Sequence, residues 1–246
     1  MATIPLMFVE EDIEGGGKES ITNDFAYNNN VSNASLKIRM GFLRKVYGLL
    51  TMQMFMTVSV GLVCMFQPTV REFIHTNDWL LSCAFLMSIV ILIALYVKKR
   101  DSPANLILLS AFTVVQAYTV GVVLTFYDQV AVLQAFVLTF AVVVGLTIFT
   151  FQTQRDFTNL HFALFAGLCV LIIGGFLQLI IGSSILELVI SIGGAFLFSL
   201  FIVYDTQMLM EKLSPEEYIL ATINLYLDII NLFLYILRAL EATRRH

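Results

Sequence analysis

The chain has 246 residues, of which 59% are hydrophobic and 13% charged, with a formal net charge of -4 at pH 7. Soluble domains carry about 25% charged residues, so this composition excludes an ordinary water-soluble domain and points to an integral membrane protein. The net charge carries little weight, because lipid rather than water surrounds most of such a surface.

Residues 1–35 are polar and locally biased, with Glu10-Glu11-Asp12, Gly15-Gly16-Gly17 and Asn28-Asn29-Asn30. They cannot bury enough apolar surface to offset their ordering entropy and are expected to form a disordered cytosolic tail. Two glycosylation sequons, at Asn30 and Asn33, have meaning only if that tail is lumenal. The tail lacks the apolar core of a secretory signal peptide, so the first membrane helix is expected to act as the targeting signal.

Residues 36–246 read as one polytopic membrane domain. A spanning helix needs about twenty mainly apolar residues, and seven stretches meet or approach that length: 46–66, 79–97, 105–126, 130–151, 161–181, 185–205 and 218–239. Open sheet is excluded at membrane depth because every backbone group must be satisfied internally, which leaves an all-α integral membrane protein. The connections are short, with Gln67–Asp78 the longest and Gly182-Ser183-Ser184 a tight turn. Gly121, Gly145, Gly174-Gly175 and Gly193-Gly194 mark places where helices can approach closely. Cys64, Cys83 and Cys169 all fall in apolar stretches, without metal-ligand or disulfide spacing.

Lysine and arginine near the spans set orientation. With the N-terminus cytosolic, seven full crossings place ten of the fourteen inside and four outside, three of the four being Arg238, Arg244 and Arg245. If the last stretch is re-entrant, thirteen lie inside. The charge rule alone therefore favours six spans plus a re-entrant segment, while the lengths suit a seven-helix bundle with the last helix central.

Two acids stand in the last two stretches: Asp205 in Tyr204-Asp205-Thr206-Gln207, and Asp228 in Leu225-Tyr226-Leu227-Asp228. A carboxylate within a bilayer costs at least about a few kcal/mol unless neutralised, paired or hydrated, so its default interpretation is functional. At 3.6 residues per turn, Glu217, Asn224, Asp228, Asn231 and Tyr235 line one stripe, opposite Ile219, Leu220, Ile223, Ile230 and Phe233. So polar a stripe is expected to face protein or water. Glu187 and Asp205 share a face about 27 Å apart, which is also the spacing of two membrane boundaries. If the faces of Asp205 and Asp228 meet, the two carboxyls cannot both ionise cheaply, and a shared proton or a calcium ion would neutralise them. No lysine or arginine lies clearly within a span, and Arg44 and Lys45 at the entrance to the first are the nearest cations.

Phe198–Gln207, Leu213–Tyr218, Leu225–Phe233, Ile38–Tyr47 and Val123–Asp128 together resemble the transmembrane Bax-inhibitor-motif (Lifeguard) family, above all its Golgi anti-apoptotic protein subgroup. The resemblance covers about residues 36–246. It implies a small helical membrane protein of the endoplasmic reticulum or Golgi that leaks calcium from the store and suppresses apoptosis. It also implies that Asp205 and Asp228 match the di-aspartyl pH sensor of bacterial relatives, and that Glu217 matches an acidic position at the pore mouth. Stretch 79–97 has no counterpart to the arginine that accompanies that sensor.

The leading expectation is a pH-sensitive calcium leak channel. Asp205 and Asp228 act as sensor, ion path and calcium contacts, with Glu217, Asn224 and Asn231 as accessory pore or gate groups. A non-conducting scaffold for apoptotic regulators or calcium-release channels is the alternative. An intramembrane aspartyl protease fits less well, because its second motif reads Gly-x-Gly-Asp where this chain has Leu225-Tyr226-Leu227-Asp228. The expected partners are the bilayer, those regulators and channels, and further copies of the chain. Neither nucleic acid nor a cofactor is expected, calcium being the permeating or bound ion.

Overall fold

A computed structural model describes residues 36–77, 79–153 and 155–244. The tail expected over 1–35, its sequons and Arg245 lie outside the described residues. Eight α-helices follow in order: α1 (Leu36–Phe66), α2 (Pro68–Thr76), α3 (Trp79–Lys98), α4 (Ala104–Leu124), α5 (Gln129–Gln152), α6 (His161–Ile181), α7 (Ser184–Glu211) and α8 (Tyr218–Arg244). Short 3-10 turns at Thr158–Leu160 and Pro215–Glu217 lead into α6 and α8, and the described residues contain no strand. Seven helices are long and apolar enough to cross a membrane.

Two elements differ from the hydropathy reading. Helix α1 begins well before residue 46, because Phe42 and Val46 bury against the core and carry the helix back past Arg44 and Lys45, which are exposed. The connection after α1 is itself a helix. Proline at the first position of α2 forfeits only an amide that no helix could pair, and its fixed φ suits the first turn. Helix α2 then buries Ile74, while Arg71 Nη2 donates to the Thr125 carbonyl at 2.9 Å. At the α6–α7 turn, Gly182 sits at φ 64, a left-handed conformation that glycine adopts without steric cost.

Helix α8 is the axis of the bundle. More than half of its apolar window (56%) is buried, against 39% or less in every other span, and it packs on α7, α5, α1 and α4. Ile219, Ile223, Ile230 and Phe233, expected opposite the polar stripe, are buried as well. A helix that is apolar on nearly every side belongs inside a bundle. Helix α6, by contrast, is peripheral and buries only Leu164 fully.

The side-chain contacts sort the loops into two ends. At the first, Lys99 Nζ meets Glu217 Oε1 at 3.4 Å, Lys45 Nζ lies 3.3 Å from the Tyr218 ring centroid, and Lys212 Nζ donates to Thr158 Oγ1 at 2.6 Å. At the second, Arg244 Nη1 donates to Asp128 Oδ2 at 2.7 Å and Nη2 to Gln134 Oε1 at 3.0 Å. Helix α8 thus starts at the end where α1 enters and finishes at the other, as one unbroken helix. The six-span, re-entrant arrangement favoured by charge counting is not the one adopted. Charges that follow the last span are weak orientation signals, and Arg244 is in any case paired with an acid on the same end.

Candidate functional site: an acid pair between the last two helices

Asp205 stands six residues before the end of α7 (211 − 205), about 9 Å of helix, and Asp228 ten residues after the start of α8 (228 − 218), about 15 Å. The two helices run antiparallel, so both distances are measured from the first end. Asp205 is not a boundary residue, because α7 continues through Leu209, which is fully buried.

The sequence sets the separation of α7 and α8 by small-residue packing. Gly194 lies three turns before Asp205, and any Cβ there would run into the Tyr235 ring. The same ring stacks on Phe198, with centroids 5.6 Å apart and an interplanar angle of 22°. Tyr235 follows Asp228 by two turns and Phe198 precedes Asp205 by two, so this close approach lines up one acid opposite the other.

The Asp205 and Asp228 carboxyl groups lie within hydrogen-bonding reach of each other. Asp228 is buried, at 6% exposed, and its Oδ2 is without a hydrogen-bond partner among the described residues. An ionised carboxylate only accepts hydrogen bonds, so a bond between the two requires a proton on one of them. Among the described residues neither acid has a cationic partner. Arg44 and Lys45, the cations expected to lie nearest, are exposed, and Lys45 lies over Tyr218. Nor does any group of three or more histidine, cysteine or acidic side chains form a metal site among the described residues. Calcium at the pair would therefore have two carboxyls plus neutral oxygens, which suits a transient contact better than a resident ion.

The other expected residues are placed less uniformly. Glu217 sits in the 3-10 turn at the first end, partly buried and paired with Lys99. Asn224 is exposed, whereas Asn231 is half-buried and donates to the Leu227 carbonyl of its own helix at 2.8 Å. The stripe therefore does not bury as one face: only Asp228 reaches the interior fully. Tyr235 is half-buried against α7.

Two features were missed in the sequence. Gln207, next but one to Asp205, is 3% exposed and ties α7 to the loop before α6. Its Oε1 accepts from the Phe157 amide at 2.7 Å, and its Nε2 donates to the Arg155 carbonyl at 2.9 Å. Uncharged polar residues also meet inside the bundle, where Gln53 Nε2 donates to Thr113 Oγ1 at 2.8 Å and Thr57 Oγ1 lies 2.9 Å from Tyr226 Oη. A glutamine inside an apolar stretch was the available signal.

Six membrane-length helices around a central seventh, whose buried Asp228 meets the half-buried Asp205 of its neighbour, define a multi-pass helical membrane protein with a titratable core. The chain belongs to the family described as Inhibitor of apoptosis-promoting Bax1, whose profile matches residues 39–245. It is 46% identical over 231 residues to Protein lifeguard 4 of Mus musculus, covering 94% of this chain and 97% of the relative. It is 45% identical over 226 residues to the Golgi anti-apoptotic protein of Vaccinia virus (strain Lister), covering 92% and 95%. Bax inhibitor 1 of Schizosaccharomyces pombe is 34% identical over 228 residues, covering 92% and 86%.

Proposed function

We propose that this protein is a pH-sensitive calcium leak channel of Golgi or endoplasmic reticulum membranes that lowers store calcium and so restrains apoptosis. The observation that carries the reading is the contact between Asp205 and Asp228 in the protein interior without a cation to balance them. With one proton shared, the pair is a latch across the α7–α8 interface. Loss of that proton places two negative charges side by side in low dielectric, and their repulsion drives the helices apart. The separated carboxylates then offer oxygen ligands to a hard cation, which is the chemistry that passes calcium. The names of the relatives support the Golgi setting and the anti-apoptotic outcome.

The N-terminus is cytosolic on this reading. The first end carries Arg39, Arg44, Lys45, Lys98, Lys99, Arg100, Arg155 and Lys212, and the second Arg71, Arg238 and Arg244, a bias that sets the first end inside. The acid pair then lies nearer the cytosolic face. Hydrolysis is not the chemistry proposed: Leu225 and Leu227 occupy the two positions before Asp228 at which the Gly-x-Gly-Asp motif has glycine.

The test is calcium efflux from proteoliposomes across a pH series. The wild-type chain is expected to leak less as the pH falls, and Asp228→Asn to lose that response. Efflux from Asp228→Asn with the wild-type pH response contradicts the latch. Protein that passes no calcium at any pH yet protects cells would leave the scaffold reading in its place.

A further inference from the structure

Helix α8 carries a second polar assembly on the side away from the acids. Tyr226 and Asp228 are two residues apart, about 200° around the helix and about 3 Å along it. Where Asp228 meets α7, Tyr226 meets α1 and α4. Its hydroxyl lies 2.9 Å from Thr57 Oγ1, Thr57 donates to the Gln53 carbonyl at 2.8 Å, Gln53 Nε2 donates to Thr113 Oγ1 at 2.8 Å, and Thr113 donates to the Leu109 carbonyl at 2.8 Å. Because the Thr57 proton is committed to the backbone, Tyr226 is the donor between the two hydroxyls.

Gln53, Thr57, Thr113 and Tyr226 are each 4% exposed or less. Gln53 and Thr113 fall at the middle of their spans (38–66 and 104–124) and Tyr226 close to the middle of its own (215–244). The Phe112 ring meets the Tyr226 ring edge-on at 6.3 Å. One acceptor is left over, because Gln53 Oε1 is buried without a hydrogen-bond partner. An uncharged seam that existed only to join helices would be expected to satisfy its own members. This one instead holds an unused amide oxygen among three hydroxyls, a neutral all-oxygen set suited to a partly dehydrated cation.

We propose that this layer is the gate and cation-selecting constriction of the ion path, and that the acid pair across α8 is the sensor that works it. The inference rests on the leak-channel reading above. Titratable groups near the acids are few: Tyr204 lies beside Asp205 on α7, and Tyr47 of α1 faces the neighbouring Thr206. No lysine, arginine or histidine pairs with either acid among the described residues. Separation of the acids therefore acts mainly through displacement of α8, the element that also carries Tyr226. A small rotation of α8 withdraws the Tyr226 hydroxyl from Thr57 and frees the oxygens of the layer for a passing ion.

The experiment combines flux with access. In calcium-loaded proteoliposomes, Tyr226→Phe is expected to raise efflux about tenfold at the acid pH that closes the wild-type chain, and Gln53→Leu to lower it about tenfold at the pH that opens it. In a chain with Cys64 and Cys169 replaced by alanine, Thr113→Cys is expected to react with a small cationic thiol reagent only at the open pH. A small-molecule thiol in the same buffers serves as the rate reference, the chain with Thr113 intact as the baseline for the remaining Cys83, and Asp228→Asn should abolish the pH difference. The layer is a structural seam if Tyr226→Phe and Gln53→Leu both leave efflux within twofold of wild type, or if Thr113→Cys stays unreactive at both pH values. If the wild-type chain passes no calcium while Thr113→Cys still reacts with the expected pH difference, the calcium reading fails and the gate stands.

Discussion

Replacing Gly194 with alanine puts the close approach of α7 and α8 under direct strain. The added Cβ would meet the Tyr235 ring, which is part of a rigid side chain already stacked on Phe198, so the ring cannot swing aside without breaking that stack. Overpacking of this kind costs about 1–3 kcal/mol. For a chain of this size each kcal/mol lowers the melting temperature by about 2–4 °C, which gives a loss of about 2–12 °C. The assay is thermal unfolding of purified protein in nanodiscs, run on Gly194→Ala, Tyr235→Ala and the double variant. Tyr235→Ala removes the obstacle, so the double variant should be less destabilised than the sum of the singles by about 0.5–3 kcal/mol. Gly194→Ala should also weaken the acid latch two to three turns away and raise calcium efflux at acid pH. A neutral Gly194→Ala, or costs that simply add, would refute the claim that this contact sets the spacing of the two helices.

Other expectations follow from the loops. Gln207→Leu strips partners from the Phe157 amide and the Arg155 carbonyl, and should destabilise the chain by about 1–3 kcal/mol while exposing the loop before α6 to limited proteolysis; intact protection would contradict the tie. Arg244→Ala removes a partly exposed ion pair with Asp128 and should cost less than about 1 kcal/mol, an effect that vanishes in high salt. Asp156 accepts hydrogen bonds from the Thr158 amide and hydroxyl, which hold its carboxyl below the usual carboxylate range. A depressed folded value means that this contribution is present above the ordinary carboxylate pKa and fades as the pH falls through the lowered one. Asp156→Asn should therefore remove an acid-induced loosening of residues 155–160, read by hydrogen exchange; loosening that persists unchanged in the variant would assign it to another group.

The fold was legible wherever hydropathy alone decides it. All seven spans begin or end within one residue of their apolar stretches, because membrane thickness and backbone satisfaction leave a long apolar segment no alternative to a helix. Helix α2 was not legible, since nine residues around Arg71 and His75 are too short and polar for a spanning signal, and their one buried side chain, Ile74, packs with Cys64 of α1 and Val122 of α4. The seven-helix bundle with the last helix central was legible from the span lengths, whereas charge alone leaned to the re-entrant alternative, because the count cannot show that Arg244 would find Asp128.

For the site, the cost of a buried charge made Asp205 and Asp228 visible, but their contact depends on the Gly194–Tyr235 approach, which no single stretch encodes. The stripe read from the α8 periodicity was too simple. A central helix has neighbours on every side, so Asn224 reaches the surface while Tyr226, read only as part of a motif, lies at the core.

The claim at the centre of this account is that a proton holds Asp205 against Asp228. It is tested most directly by structures determined at acid and alkaline pH in lipid, comparing the separation of the two carboxyl groups. The account expects hydrogen-bonding contact at acid pH and a gap wide enough for water or a cation at alkaline pH. Carboxyl groups that stay in contact at both, with α7 and α8 unmoved, would contradict it.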